Sequence, residues 1–332
     1  MRVLLGILAM SLALQSGCGG GPAPATAGRF RNPVIKADFP DPFVLRVADS
    51  SYAYATGAGA ARIQVARSED LVHWRMLPAA LTTLPHWQSV EPDKTWAPDV
   101  SRIGDRFVMY YVGASLDAGR QCISVATADR PDGPFLDLSA APLVCQAELG
   151  GSIDPTRFVD SDGAAYLLWK NDGNCCDQPA DLWGQRLSED GLTLTDQPRR
   201  LGIRNDQAWE GTVVEAPTVL AHGGRYYLFY SANAYDEATY AVGYGVSDHV
   251  LGPYTKPLRQ PILSSGGSAA GPGGQSVVMG PRGDLWLAYH AWAAGRVGYR
   301  HAGVRSMWMD RLSFEGDRPV VHGPTNGWQP SP

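Results

Sequence analysis

Four acidic residues stand beside proline, or one residue away from it, at intervals of 58, 55 and 61 positions: Asp41-Pro42, Pro98-Asp99, Asp154-Pro155 and Glu215-Ala216-Pro217. Taken singly, each reads as a turn residue, because Asp before Pro caps turns. The recurrence carries the information. If the fold gathers these carboxylates into one concavity, mutual repulsion and partial burial must raise the pKa of at least one. One carboxyl held protonated beside one held ionised is the arrangement that acid–base cleavage of a glycosidic bond requires.

The elements that must position these groups are short strands. Aromatic and aliphatic runs at 107–111, 166–169 and 226–230 are bounded by Gly or Asp, and each follows a turn (Gly104-Asp105, Asp162-Gly163, Gly223-Gly224). That is strand chemistry. Further copies occur at 48–54 and 283–289. A third element follows each copy at 63–68, 123–128, 182–187, 242–247 and near 300–304. With Gln275 as the head of the last copy, the heads fall at 41, 99, 154, 215 and 275, so five units of 55 to 61 residues repeat. Repeats of this length with several strands each predict an all-β, five-bladed β-propeller. A β-sandwich would not place the same residue type at the head of every repeat. In a propeller the innermost strands line a central channel, so Asp41, Asp99, Asp154 and Glu215 should meet near one end of it.

Composition agrees. Gly and Pro make up 63 of 332 residues, which points to many tight turns, and ten Trp with fourteen Tyr supply a sizeable core. A net charge of −5 excludes a basic nucleic-acid binder, and no nucleotide loop or Ser-His-Asp triad is present. The chain opens with Arg2 and a short apolar run to Leu14, too brief to span a bilayer and typical of a signal peptide. Ser16-Gly17-Cys18 resembles a lipobox, with Gln15 where Leu is usual. The expected organisation is a lipoprotein-type signal at 1–17, a flexible tether at 18–30 and one catalytic domain at 31–327. The protein is expected to be exported, to the periplasm, the cell surface or the medium. It would meet a membrane only through a lipid on Cys18, and would be a monomer. An oxidising compartment permits a Cys122–Cys145 disulfide, while adjacent Cys175 and Cys176 either form a vicinal bridge or stay two thiols. No zinc-ligand spacing is present.

Several motifs together resemble glycoside hydrolase family 43. They are Asp38-Phe39-Pro40-Asp41-Pro42-Phe43-Val44, Trp96-Ala97-Pro98-Asp99-Val100, Ile153-Asp154-Pro155-Thr156 and Glu215-Ala216-Pro217-Thr218, with Leu251-Gly252-Pro253-Tyr254 and Tyr289-His290-Ala291 as further landmarks. The resemblance covers about residues 32 to 327. It implies a five-bladed propeller and an inverting hydrolase of arabinose- and xylose-containing glycans. Asp41 would be the general base, Glu215 the general acid and Asp154 the residue that tunes and orients the acid. Glu210, in Trp209-Glu210-Gly211, is the competitor for the acid. Glu215 is preferred because it keeps the repeat's register. Trp96, Asp99, Phe43, Gln275 and His290 are the expected sugar contacts. His290 is also the candidate ligand for a structural Ca²⁺ in the channel. Gln275 stands near the place where many relatives have His in Gly-Pro-Gly-His, which weakens the metal assignment. No other cofactor is implied.

The segments 169–174 and 205–211 look more like arabinan-active members than xylosidases, and only five residues follow Gly327, where many β-xylosidases continue into a further domain. The expected substrate is therefore an α-L-arabinofuranosyl linkage in arabinan or arabinoxylan, attacked in exo mode. An endo-arabinanase, a β-xylosidase and a non-catalytic glycan-binding propeller are the alternatives. A binding module would have no need of Asp41, Asp154 and Glu215 together.

Overall fold

A computed structural model describes residues 28–332. The expected signal peptide, Cys18 and most of the tether lie outside the described residues. Five antiparallel sheets follow one another along the chain. Their innermost strands are Phe43–Val47, Thr95–Ile103, Ser152–Val159, Val214–His222 and Ala269–Met279. These strands head blades I to V of a five-bladed propeller. Second strands pair back by hairpins and hold the apolar runs seen in the sequence: Ser50–Ala58, Arg106–Ser115, Ala165–Asn171, Arg225–Ala232 and Leu285–Ala293. Blade II gains an extra edge strand, Leu81–Thr83, parallel to Phe135–Leu136.

Five apolar clusters fill the five seams between blades. Tyr110, Leu167 and Trp169 join blades II and III, whereas Phe39, Val44, Trp286 and Met309 join V to I. A strand covered on both faces has no solvent side, so the second strands read as near-continuous apolar runs and not as alternation.

The repeat register differs from the acid-based alignment. Asp41, Ala97, Asp154, Ala216 and Gly274 all adopt left-handed backbone, with φ between 44° and 58°. In blades II to V the pairing of first and second strands shifts at this residue, which is a β-bulge. Proline follows in four of the five cases and disfavours the right-handed helical region before it. The repeat therefore runs 41, 97, 154, 216, 274. Asp99 lies two residues beyond the head of blade II, and the head itself is alanine.

The ring closes through both ends of the described chain. Arg29–Phe30 pairs with Gln329–Pro330, so the ordered fold is wider at both ends than 31–327. Phe30 is buried, and Ile35 bridges Met307 of blade V. Asp310, fully buried, clamps this junction. Its Oδ1 accepts from Asn32 Nδ2 (3.3 Å) and Gln329 Nε2 (3.1 Å), and its Oδ2 from Tyr289 OH (2.5 Å) and Thr325 N–H (3.2 Å). Cys122–Cys145 and Cys175–Cys176 are both disulfides.

Replacing Asp310 by Ala strands several buried donors at once and should lower stability by about 3 kcal/mol. The urea midpoint would fall accordingly, with the turnover of the remaining folded protein unchanged.

Candidate active site

Residues from all five blades line one cavity of about 600 Å³ at the end of the channel where the heads converge. Asp41, Asp154 and Glu215 all face it. Three of the four aligned acids thus come together.

Asp41 is held by three groups. Thr56 Oγ1 donates to its Oδ2 at 2.6 Å, and an Arg305 guanidinium nitrogen lies 3.4 Å from Oδ1. Nδ1 of His290 accepts the Asp41 backbone N–H at 3.1 Å. Burial alone would raise the pKa of Asp41. Arg305, followed by the His290 ring and Thr56, outweighs this and holds the carboxyl well below its ordinary range. Asp41 is therefore ionised at any ordinary pH, as a base must be.

Glu215 is anchored on both oxygens. Lys170 Nζ lies 2.8 Å from Oε2, and Tyr240 OH donates to Oε1 at 2.7 Å. Lys170 has no exposed surface. Burial opposes its charge, but Glu215, Asp154 and Asp172 outweigh that and keep it an ammonium. Asp154 accepts the Ala216 N–H at 2.9 Å, which fixes the peptide next to Glu215. Burial first, then the charges of Glu215 and Asp41, push Asp154 up to about 8 against the pull of Lys170. Near neutral pH Asp154 therefore retains its proton. The cavity thus holds an ionised carboxylate on one wall and an acidic proton on another.

Other expected residues divide. Trp96 and Phe43 line the cavity, each partly exposed. Asp99 does not reach a sugar: it is buried outside the lining, and its Oδ2 accepts the Arg157 N–H at 3.2 Å. Burial pushes it up to about 7. Gln275 borders the cavity, but both ends of its amide are already engaged. Nε2 donates to Ala216 O (2.8 Å) and Oε1 accepts from Ser231 (2.7 Å), so it ties blades together. His290 is fully buried beneath Asp41 and stacked on Tyr240, out of reach of a sugar. Glu210 is buried outside the cavity lining, bound by Tyr230 OH, Lys256 and the Gln207 N–H, which removes it as a rival to Glu215.

Sequence reasoning missed Thr56, Lys170, Tyr240 and Arg305. Lys170 carried a signal: a lysine between Trp169 and Asn171 in an apolar strand needs a buried partner.

Among the described residues no group of three or more His, Cys, Asp or Glu could hold a metal ion. His290 Nε2 is buried and has no hydrogen-bond partner among the described residues.

A five-bladed propeller with three carboxylates and two buried cations around one axial cavity defines a carbohydrate-cleaving class of site. The family model "Glycosyl hydrolases family 43" matches residues 30–318, and the chain belongs to that family; it is a glycoside hydrolase. The extracellular endo-α-(1→5)-L-arabinanase 1 of Bacillus subtilis is 26% identical over 72% of this chain and 77% of its own length. An extracellular exo-α-(1→5)-L-arabinofuranosidase of Cellvibrio japonicus is 28% identical over 70% and 71%. Among solved structures, a thermostable family-43 glycoside hydrolase superposes with a TM-score of 0.82 at 33% identity, covering 91% of this chain and 99% of that one.

The pH dependence follows from these charges. Activity should fall as Asp154 loses its proton, at about pH 8. The acid limb, set by Asp41, should lie at unusually low pH. Arg305→Met removes the nearest cation and lets the pKa of Asp41 rise, so the acid limb of kcat/KM should move upward by about one pH unit while the alkaline limb stays. A pH–rate profile of the two proteins checks this.

Proposed function

We propose that the protein is an inverting hydrolase of α-L-arabinofuranosyl linkages in arabinan or arabinoxylan, acting from chain ends. The observation that carries the reading is the division of charge in the cavity: Asp41 ionised by Arg305, and a proton kept on Asp154, which holds the peptide next to Glu215. Asp41 takes a proton from water as the water attacks the anomeric carbon. Glu215 gives its proton to the departing glycosidic oxygen, and the bond to that oxygen breaks. Asp154 keeps the acid oriented through the Ala216 N–H. Lys170 stabilises Glu215 once it has become a carboxylate. Water and carboxyl groups are the only reactants this chemistry needs besides the sugar.

The arabinose preference draws on the sequence landmarks at 169–174 and 205–211 and on relatives named as an arabinanase and an arabinofuranosidase. Walls contributed by every blade support a pocket for a chain end over an open groove. Export, with a lipid on Cys18, completes the proposal. Two relatives are named as extracellular, and a Cys18→Ser form should be released from membranes if acylation occurs there.

Purified protein should release only monomeric arabinose from debranched arabinan and arabinoxylan. A ladder of oligomers would mean endo action, and xylose in place of arabinose from the aryl glycosides would overturn the sugar assignment. Silence on all substrates with saccharide binding retained would favour the non-catalytic reading. Glu215→Ala should reduce turnover of polysaccharide by roughly 10³-fold with the fold intact. Full activity in that variant would refute its role as acid. Proton NMR of the first turnovers should show the inverted anomer, and a retained anomer would exclude the water-activating role of Asp41.

A further inference from the structure

The second strand of blade III runs through Lys170 and Asn171 into a short 3-10 turn, Gly173–Cys176, whose last two residues are joined to each other by a disulfide. Cys175 is exposed and lies in the cavity wall beside Asp172 and Asn174. Nothing in the proton chemistry uses it.

The backbone presents this sulfur pair rigidly. Asn171 Nδ2 donates to Leu149 O (3.0 Å) and Pro179 O (2.9 Å), and its Oδ1 accepts from the Asp181 N–H (2.8 Å) and Trp183 Nε1 (3.0 Å). Asp172 N–H reaches Gly151 O at 3.1 Å, and Cys175 N–H reaches Asp172 O at 3.2 Å. At Gly150 and Gly173 a Cβ would lie within 2.3 Å of a neighbouring carbonyl oxygen, so the loop is packed tightly against its surroundings.

Two fused cysteines offer a compact surface that is apolar, polarisable and without a hydrogen-bond donor. The C–H face of a sugar packs on such a surface by dispersion. Its position identifies which sugar. Lys170 touches Glu215, and a proton donor faces the bridging oxygen, so the wall that continues past Lys170 borders the leaving group. Arg305, Tyr235 and Tyr299 form the other wall, beside Asp41. We propose that the Cys175–Cys176 disulfide is the platform for the leaving-group sugar and sets a preference for saccharide over small leaving groups. This rests on Glu215 being the proton donor.

The test compares two substrates with the same cleaved sugar, a pentose oligosaccharide and the corresponding methyl or aryl glycoside. In the Cys175→Ser/Cys176→Ser protein, KM for the oligosaccharide should rise roughly fivefold. KM for the small glycoside should stay within about twofold, with kcat unchanged for both. Reducing the folded wild type with a phosphine, which opens the S–S bond to two thiols as the phosphine is oxidised, should give the same split. Cys122 is fully buried but Cys145 is half-exposed, so phosphine treatment of the Cys175→Ser/Cys176→Ser protein, which should change neither KM further, is the control for the Cys122–Cys145 bond. An equal change on both substrates, or none on the oligosaccharide, would overturn the platform. The pairing reads the contact whichever pentose is cleaved. A wrong sugar assignment would show separately as xylose release, and a wrong acid as full activity of Glu215→Ala.

Discussion

A ring of side-chain hydrogen bonds to backbone passes from blade to blade around the channel. Thr56 of blade I accepts the Ala97 N–H of blade II, and Asp99 of blade II accepts the Arg157 N–H of blade III. Asp154 of blade III accepts the Ala216 N–H of blade IV. Thr218 of blade IV donates to Gln275 O of blade V, and Ser276 of blade V donates to Pro42 O of blade I. Every seam is crossed once or more at the same level. Backbone groups exposed by the head bulges would otherwise be buried without partners, at a cost of about 1–3 kcal/mol each. The bonds that satisfy the kinks also set the blades' angular positions, and so the positions of the carboxylates.

This accounts for the double employment of several residues. Thr56 bonds the base carboxylate at 2.6 Å and the next blade at 2.9 Å. Asp154 lines the cavity and also holds the peptide beside Glu215. A group that joins the ring cannot shift without moving a seam, which keeps the carboxylates in place without substrate. Buried ion pairs such as Lys170–Glu215 add little net stability after desolvation, so their presence is better explained by the site than by the fold.

The propeller was legible in the sequence because each blade's second strand is covered on both faces and so prints as a contiguous apolar run. The register was less so. Aligning on acids gave 41, 99, 154, 215 and 275, whereas the kink belongs to the residue before proline. Pro42, Pro98, Pro155 and Pro217, with Gln275 in the fifth place, mark it directly. That explains why Asp99, which follows its proline, becomes a seam residue while Asp41 and Asp154, which precede theirs, reach the cavity. Arg305 and Tyr240 left no signal: their roles arise only when blades distant in sequence meet.

The site's asymmetry follows from where those two cations fall. Arg305 comes from blade V and meets the head of blade I across the closing seam, so the ionisation of Asp41 depends on ring closure. Lys170 comes from blade III and meets Glu215 of blade IV within the body of the chain. Asp41 and Glu215 thus meet their cations at different seams, and those cations do not share a partner. The Asp41 site therefore depends on a contact across the closing seam, whereas the Glu215 site does not.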